Sequence, residues 1–292
     1  MIFKGTIIKG IGGFYYVLVE NKVYECKARG IFRKDDIIPV IGDTVSIEVP
    51  SQDDVGNIIK IYPRKNILIR PTVSNVDQAI IVFSITQPDP NSYLLDRFLL
   101  LVEEQKLPVY ICFNKIDLDH QNQVCQLKKI YKKAGYDVLL TSTSTQEGIP
   151  LIFDLLKDKI TVFAGPSGVG KSSILNKIEP SLQLKTGGIS DKLKRGKHTT
   201  RHVELIPLKT GGFVIDTPGF TSLQLDHIQL EDVSYYYREF RPYLSSCKFP
   251  HCSHIHEPQC GIKTAVQQGH IALQRYKNYI SIYTEIQKQR RW

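Results

Sequence analysis

Gly165-Pro166-Ser167-Gly168-Val169-Gly170-Lys171-Ser172, continued by Ser173, fits the pattern G-x-x-x-x-G-K-[ST] of a phosphate-binding loop. The stretch follows an apolar run at 160–164 and opens a helical one at 171–178, the strand–loop–helix setting such a loop requires. Glycines let successive backbone N–H groups turn inward around phosphate oxygens. The start of a helix adds its partial positive charge. Residues 165–173 are therefore expected to hold the phosphates of a nucleotide. Lys171 is expected against the β- and γ-phosphates, and the Ser172 hydroxyl on Mg²⁺.

Around this loop, residues 71–225 alternate apolar strand-like runs with helical stretches, a βαβ pattern that predicts a parallel sheet. Strands are expected at 78–85, 108–113, 137–141, 159–164 and 213–215, and helices at 92–105, 121–134, 149–156 and 171–178. Residues 1–70 differ in character. Five short β-rich runs, at 3–9, 14–19, 23–27, 44–49 and 57–62, are separated by turn pairs such as Gly12-Gly13 and Gly42-Asp43. They suit a small Greek-key barrel of the OB type, with an SH3-like barrel as the alternative. Residues 226–292 read as helical at 230–240 and 263–289, around a Cys/His cluster.

Asn114-Lys115-Ile116-Asp117 follows the strand at 108–113. Such a tetrapeptide alone is usually a polar loop with a capping Asp. Beside a phosphate-binding loop it reads as a base site. A carboxylate accepts two hydrogen bonds from guanine N1 and N2, a donor pair that adenine lacks, so Asp117 is expected to select GTP over ATP. Asn114 can bond the purine edge and neighbouring loops, and the Lys115 stem can lie along the base. Ser142, after the strand at 137–141, is expected to offer a backbone N–H to guanine O6, among Thr141, Thr143 and Ser144. Asp216-Thr217-Pro218-Gly219 ends the strand at 213–215. Asp216 is expected to hold the Mg²⁺ shell through water. The Gly219 N–H is expected to touch the γ-phosphate.

The order of these motifs is cyclically shifted. In ordinary small GTPases the phosphate loop comes first and N-K-x-D late; here Asn114–Asp117 and Ser142 precede Gly165–Ser172, and Asp216–Gly219 follows. The central domain is therefore expected to be an α/β P-loop GTPase with circularly permuted motif order. Between the loop and D-T-P-G lies 192–201, with five basic residues in ten and none acidic. A γ-phosphate-sensing switch must fall there, and Thr200, with Thr199 in reserve, is expected to complete the Mg²⁺ coordination. Phe220 occupies the region where many GTPases carry a water-orienting Gln, and Phe cannot serve. His198, beside the switch threonines, is the candidate to orient the water. The catalytic set read from the chain is His198, Lys171 and Gly219.

Six cysteines stand at 26, 112, 125, 247, 252 and 260. The first three read as small buried hydrophobes. The last three, with one histidine, form Cys247-x4-Cys252-x-His254-x5-Cys260, a closed Cys₃His set suited to one structural Zn²⁺, with His251 and His256 as competing ligands. The predicted architecture is multidomain: an N-terminal OB-fold β-barrel over 1–70, the GTPase domain over 71–225 and a C-terminal helical zinc-binding domain over 226–292. At 292 residues the chain is long enough for this, and its 42% hydrophobic content argues against a wholly disordered or fibrous protein. No apolar run approaches the roughly 20 residues of a membrane helix, and residues 1–20 lack a signal peptide's core, so the cytoplasm is the expected compartment. The net charge of +9 is spread as +3 over each of the three segments. That fits a mildly basic soluble chain or contact with a polyanion such as RNA along an extended surface.

Together these pieces resemble one family: the circularly permuted RsgA GTPases of small ribosomal subunit biogenesis. The resemblance rests on Val40-Ile41-Gly42-Asp43, Arg70-Pro71, Asp96-Arg97-Phe98-Leu99, N-K-I-D, G-P-S-G-V-G-K-S-S, G-K-H-T-T-R at 196–201, D-T-P-G-F and the cysteine cluster. It implies a GTP hydrolase whose partners are the small ribosomal subunit and its rRNA. It further implies stimulation by the subunit late in maturation, and hydrolysis that promotes release. It also implies GTP and GDP as ligands, with Mg²⁺ and one Zn²⁺, no membrane partner and a monomeric chain. The family's hydrophobic residue in place of Gln matches Phe220, and its switch histidine matches His198. Where the family often reads G-R-H-T-T-T, this chain has Lys197 and Arg201, which keep or add positive charge. Two rival readings are an RNA-binding assembly factor that uses GTP binding for timing, with negligible turnover, and a P-loop kinase or ATPase. Asn114 and Asp117 argue against the second.

Overall fold

Strands β1 (Ile2–Ile11), β2 (Phe14–Val19), β3 (Lys22–Ala28), β4 (Thr44–Glu48) and β5 (Val55–Ile61) close into a barrel in the order β1-β2-β3-β5-β4. The β3–β5 pair is parallel and the β1–β4 pair closes the ring, which is the OB arrangement. The computed structural model describes residues 1–29, 32, 37–50, 55–69, 72–184, 203–216 and 224–290. Side chains at alternate positions, among them Ile7, Val17, Cys26, Val45, Ile47 and Ile58, fill the barrel. Ile8, on the opposite face of β1 from Ile7, leaves the barrel and joins the core of the central domain, beside a register shift between Ile7 and Lys9.

Strands β6 (Ile67–Ile69) and β7 (Thr72–Ser74), too short to show a period in the sequence, pair antiparallel as a hairpin between barrel and sheet. Asp43 anchors it. Its buried carboxylate accepts from Arg64 at 2.7 and 2.8 Å, from the Ser74 hydroxyl at 2.7 Å and from the Val40 N–H at 2.9 Å. The Val40-Ile41-Gly42-Asp43 motif thus fastens the barrel to the hairpin.

The central sheet contains β8 (Gln78–Ser84), β9 (Val109–Asn114), β10 (Asp137–Leu140), β11 (Ile160–Ala164), β12 (Leu205–Pro207) and β13 (Phe213–Asp216), in the order β10-β9-β8-β11-β13-β12. All neighbours are parallel except β12, which runs antiparallel to β13 at the edge. Every residue of β8 and β11 is buried, as central strands covered on both faces must be.

The helices are α1 (Ser92–Glu104), α2 (Gln123–Lys133), α3 (Ile149–Leu156), α4 (Lys171–Ile178), α5 (Gly261–Gln267) and α6 (Leu273–Gln289). Asn91 caps α1 through the Leu94 N–H, and Asp119 accepts from the first amides of α2. The C-terminal part differs from the predicted long helix over 263–289. The chain turns at Gly269, leaving α5 and α6 as separate helices. Residues 230–240 form 3₁₀ pieces, Leu230–Asp232 and part of Arg238–Ser246, where Pro242 lacks the donor that an α-helix needs.

Two cores sandwich the sheet. On one face Ile80 and Val82 of β8 meet Ile152 and Leu156 of α3 and Ile174 and Leu175 of α4. On the other, Ile81 and Phe83 of β8 join Phe98 and Leu99 of α1, Tyr131 of α2, and Phe240, Tyr279, Ile282 and Ile286 of the C-terminal region in one continuous cluster. Arg275, 2% exposed, ties these pieces together. Its guanidinium donates to Asp96 of α1 and, at 2.7 and 3.0 Å, to both oxygens of Glu239. Burial works against that charge, but the Asp96 and Glu239 carboxylates outweigh it and hold the Arg275 pKa well above its ordinary value. Among the described residues, no helix is long and apolar enough to cross a membrane.

Candidate functional site

The three nucleotide motifs stand at the carboxyl ends of β9, β11 and β13, parallel strands of one sheet, where open α/β sheets bind ligands. Asn114 ends β9 opposite Ser84, Ala164 ends β11 opposite Ile81, and Asp216 ends β13 opposite Phe163. The loop 165–170 crosses between them. At Gly165 the backbone has φ +134°, and a Cβ would overlap the Val82 carbonyl oxygen. At Gly170, φ +97°, a Cβ would overlap the Asn114 amide nitrogen. Both glycines are therefore required by close approach as well as by conformation.

That approach is a clasp between the two motifs. The fully buried Asn114 donates its amide to the Val169 carbonyl at 2.9 Å and accepts from the Thr141 hydroxyl at 3.1 Å. Lys115, with φ +62°, donates its ammonium to the Gly168 carbonyl at 2.9 Å and to the Gln87 carbonyl. Consecutive side chains of N-K-I-D thus hold consecutive carbonyls of the phosphate loop, with oxygen acceptors meeting nitrogen donors as required for buried polar groups. Ile116 hangs from the Thr141 carbonyl by its own N–H at 3.3 Å, and Asp117 stands exposed in the 3₁₀ turn Ile116–Leu118. Asp117 can therefore meet a base that lies over Lys115.

Ser142 stands just after β10. Its N–H donates to the Glu147 carbonyl at 3.0 Å, and its hydroxyl accepts from the Thr145 N–H at 3.1 Å. Both groups close the turn over 142–147, and Ser142 would give up the Glu147 carbonyl to present its amide to guanine O6. Thr141, which fixes Asn114, and Gln87, which anchors Lys115, were missed. The only signal for Thr141 was its place at a strand end beside Ser142.

The Lys171 ammonium lies across the loop, on the carbonyls of Gly165 at 2.7 Å and Pro166 at 2.6 Å. Ser172 is buried in the first turn of α4. Pro166, Ser167, Gly168, Val169 and Ser173 complete the loop and the start of its helix. His198, Thr199, Thr200, Gly219 and Phe220 lie outside the described residues, as does the side chain of Asp216.

The ligand atoms of Cys247, Cys252, His254 and Cys260 lie within 4.8 Å of one another. His254 Nδ1 is 3.5 Å from the Cys247 sulfur and 3.4 Å from the Cys260 sulfur, and those two sulfurs are 3.9 Å apart. With Zn–S near 2.3 Å and Zn–N near 2.0 Å, a tetrahedron has S···S edges of about 3.8 Å and S···N edges of about 3.5 Å. The donor set and its spacing fit a metal ion. His251 and His256 are exposed and outside the set.

Glu257, also missed, orders the loop. It accepts from the Ser253 N–H at 2.8 Å, the Ser253 hydroxyl at 3.0 Å and the Ile255 N–H at 3.2 Å. Desolvation opposes its charge, but these donors prevail and hold its pKa down at about 2. Tyr276 and Tyr279 of α6 donate to the carbonyls of His254 and Ser253 at 2.7 and 2.8 Å. Of the three cysteines read as buried hydrophobes, Cys26 and Cys112 are buried, and burial pushes their thiols up to about 11 and about 12. Cys125 is exposed instead, on α2.

Comparison with known proteins agrees with this geometry. The family model described as RsgA GTPase matches residues 61–226, and that described as RsgA N-terminal domain matches residues 4–58. A protein of Alkaliphilus metalliredigens (strain QYMF), named small ribosomal subunit biogenesis GTPase RsgA, is 52% identical over 290 residues, covering 99% of each chain. A namesake from Geobacillus thermodenitrificans (strain NG80-2) is 47% identical over 290 residues, covering 98% of each. Among solved structures, YloQ, described as a circularly permuted GTPase, superposes with a TM-score of 0.82 at 42% identity, over 99% of this chain and 96% of that one. YjeQ from Thermotoga maritima gives 0.85 at 36% identity, over 98% and 99%. With a closed OB-type barrel, a permuted P-loop domain and a Cys/His cluster in one chain, the protein belongs to the RsgA GTPase family.

Proposed function

We propose that the protein hydrolyses the β–γ phosphoanhydride of GTP while bound to the small ribosomal subunit and its rRNA, late in that subunit's maturation, and that hydrolysis promotes its release. The carrying observation is the clasp of Asn114 and Lys115 on the carbonyls of Val169 and Gly168, which ties guanine reading to phosphate holding. On GTP binding, Lys171 exchanges the Gly165 and Pro166 carbonyls for the β- and γ-phosphates. Asp117 accepts from guanine N1 and N2. Ser172, Thr200 and Asp216 would hold Mg²⁺, which neutralises charge on the phosphate oxygens. Gly219 senses the γ-phosphate by its N–H, and His198 orients the attacking water in place of Phe220.

The four-residue cluster would hold one structural Zn²⁺, since all four protein positions are filled and none is left open for a substrate. The working domain limits are 1–70, 71–225 and 226–292. The protein acts as a cytoplasmic monomer that exchanges GTP and GDP, with no membrane partner.

The test is GTP turnover by purified protein with and without isolated small subunits, at stated salt. Strong stimulation is expected, and His198→Ala should lower the stimulated rate by about 10²-fold or more while leaving GTP affinity intact. Tight GTP binding without stimulation would favour an assembly factor timed by nucleotide binding, which Phe220 leaves open. Full activity of His198→Ala would remove His198 from catalysis.

A further inference from the structure

Helix α2 carries Lys128, Lys129, Lys132 and Lys133 and no acidic residue. Lys128 with Lys132 and Lys129 with Lys133 are i,i+4 pairs of like charge, which weaken a helix unless something opposite covers them. Lysines in the last turn suit the helix dipole, but a run of four with no Glu partner exceeds that need. Several lysines elsewhere are partnered. Lys9 meets Glu204, Lys209 meets Glu179, and Lys4, Lys22, Lys27 and Lys60 lie over aromatic rings of the barrel. Among the described residues, Lys128, Lys129 and Lys132 have no ion pair.

Lys133 is different: its ammonium donates to the Gly269 carbonyl and docks the end of α2 on the turn between α5 and α6. Next in the chain, exposed His270 stacks on Tyr243 with ring centroids 5.9 Å apart and planes at 10°. The lysine row therefore ends against a flat aromatic pair, at the seam between the GTPase domain and the C-terminal helices. A row of ammonium groups follows a phosphate backbone, and an exposed ring face receives an unstacked base.

We propose that the exposed face of α2 and the His270–Tyr243 stack form an RNA contact surface, separate from the nucleotide site. The proposal rests on the functional reading above for its partner, the RNA of the small subunit. An acidic protein surface would engage the lysines, but its carboxylates gain nothing from the stack, whereas RNA offers both phosphates and base faces.

The test measures binding of the full chain to purified small subunits and to deproteinised small-subunit RNA as a function of salt. The variants are K129E/K132E, H270A and a control, K157E/K177E, whose lysines belong to the α3 and α4 side of the sheet; Lys133 stays intact because it is structural. K129E/K132E should weaken binding to both probes by about tenfold or more near 0.1 M salt and reduce the slope of log K against log salt by about 1.4–1.8. H270A should weaken it by about fivefold or more with little change of slope. The control should bind like wild type, and GTP turnover without subunits should be unchanged throughout. Unchanged binding of K129E/K132E overturns the proposal, as does an equal loss in the control. A loss seen with intact subunits but not with naked RNA also overturns it and assigns the face to a protein. Failure of the wild type to bind either probe overturns the functional reading itself, and this surface with it.

Discussion

Arg275→Met removes one buried cation and leaves two buried carboxylates facing each other. Asp96 keeps the Tyr131 hydroxyl at 2.9 Å and the Asn278 amide at 2.7 Å, but Glu239 loses both of its bonds to the guanidinium. The guanidinium also leaves the Tyr237 ring, 4.5 Å from its centre. Removing one partner of a buried pair costs about 3–5 kcal/mol, because the remaining charge is uncompensated. That is a large part of the 5–15 kcal/mol of an ordinary fold, though not all of it.

The chain should therefore stay folded while α6 opens more often. Hydrogen exchange read peptide by peptide is the assay, and the amides of Leu273–Gln289 and Ser92–Glu104 should exchange about 10²- to 10⁴-fold faster while those of the barrel hold. Arg275→Lys should fall between, since an ammonium cannot reproduce the two-pronged contact with Glu239. A second substitution, Asp96→Asn, should cost less in the methionine background than in the wild type, because the two sites share one network. Protection in α6 reduced by less than about 1 kcal/mol would refute the reasoning, since it would mean that Asp96 and Glu239 find other partners cheaply.

Three further outcomes are expected. Asp117→Asn should cost about 100-fold in GTP affinity, as two charge-assisted hydrogen bonds are lost, and should admit xanthine nucleotides; competition binding with unchanged guanine preference would contradict the base assignment. Cys252→Ser, or chelation, should release one metal ion per chain by colorimetric titration and loosen Cys247–Cys260, since a structural zinc contributes on the order of 10 kcal/mol; a chain that never held an ion would end the zinc reading. Glu285 has a depressed pKa, because desolvation is outweighed by the Tyr93 hydroxyl and the Arg97 guanidinium. Its stabilising effect is therefore complete above the ordinary glutamate value of about 4.3 and fades as pH falls below it, so the stability gap between wild type and Glu285→Gln should shrink on acidification. A gap that stays flat in acid would rule this out.

What the chain revealed in advance was what is local along it. The phosphate loop, Asn114–Asp117 and the cysteine cluster each occupy a short window with fixed spacing, and β8 and β11 announce themselves by mostly apolar runs, unbroken over 79–83 and interrupted only by Thr161 over 160–164. What stayed hidden depends on pairing across the fold. The choice of OB over SH3-like barrel lies in β3 meeting β5, a contact no alternation pattern encodes. The hairpin of β6 and β7 has strands of three residues, too short to show a period. The bond of the Ser142 amide to Glu147 is set by the path of the loop, and the residue's place after a strand does not reveal it. Thr141 and Gln87 serve partners that only the sheet order brings near. Cys125 lies among Gln123, Gln126 and Lys128, on the outward side of α2, where its residue type alone suggests burial.

The continuous core beneath α1 changes what the C-terminal region is. Phe240, Tyr279, Ile282 and Ile286 lie in the same cluster as Phe98, Leu99 and Phe83. An ordinary doubly wound domain supplies both coats of its sheet from its own crossovers. Here the last segment of the chain reinforces one of those coats, and the cysteine loop is pinned to it by Tyr276 and Tyr279. The label of a third domain thus describes chain order and not autonomy. A protein cut after residue 225 would lay bare part of the interior of its GTPase. Loss of a metal held there would be felt through α6 as a loosening of the roof over the helix that follows β8, because the cysteine cluster and the nucleotide motifs share one continuous core.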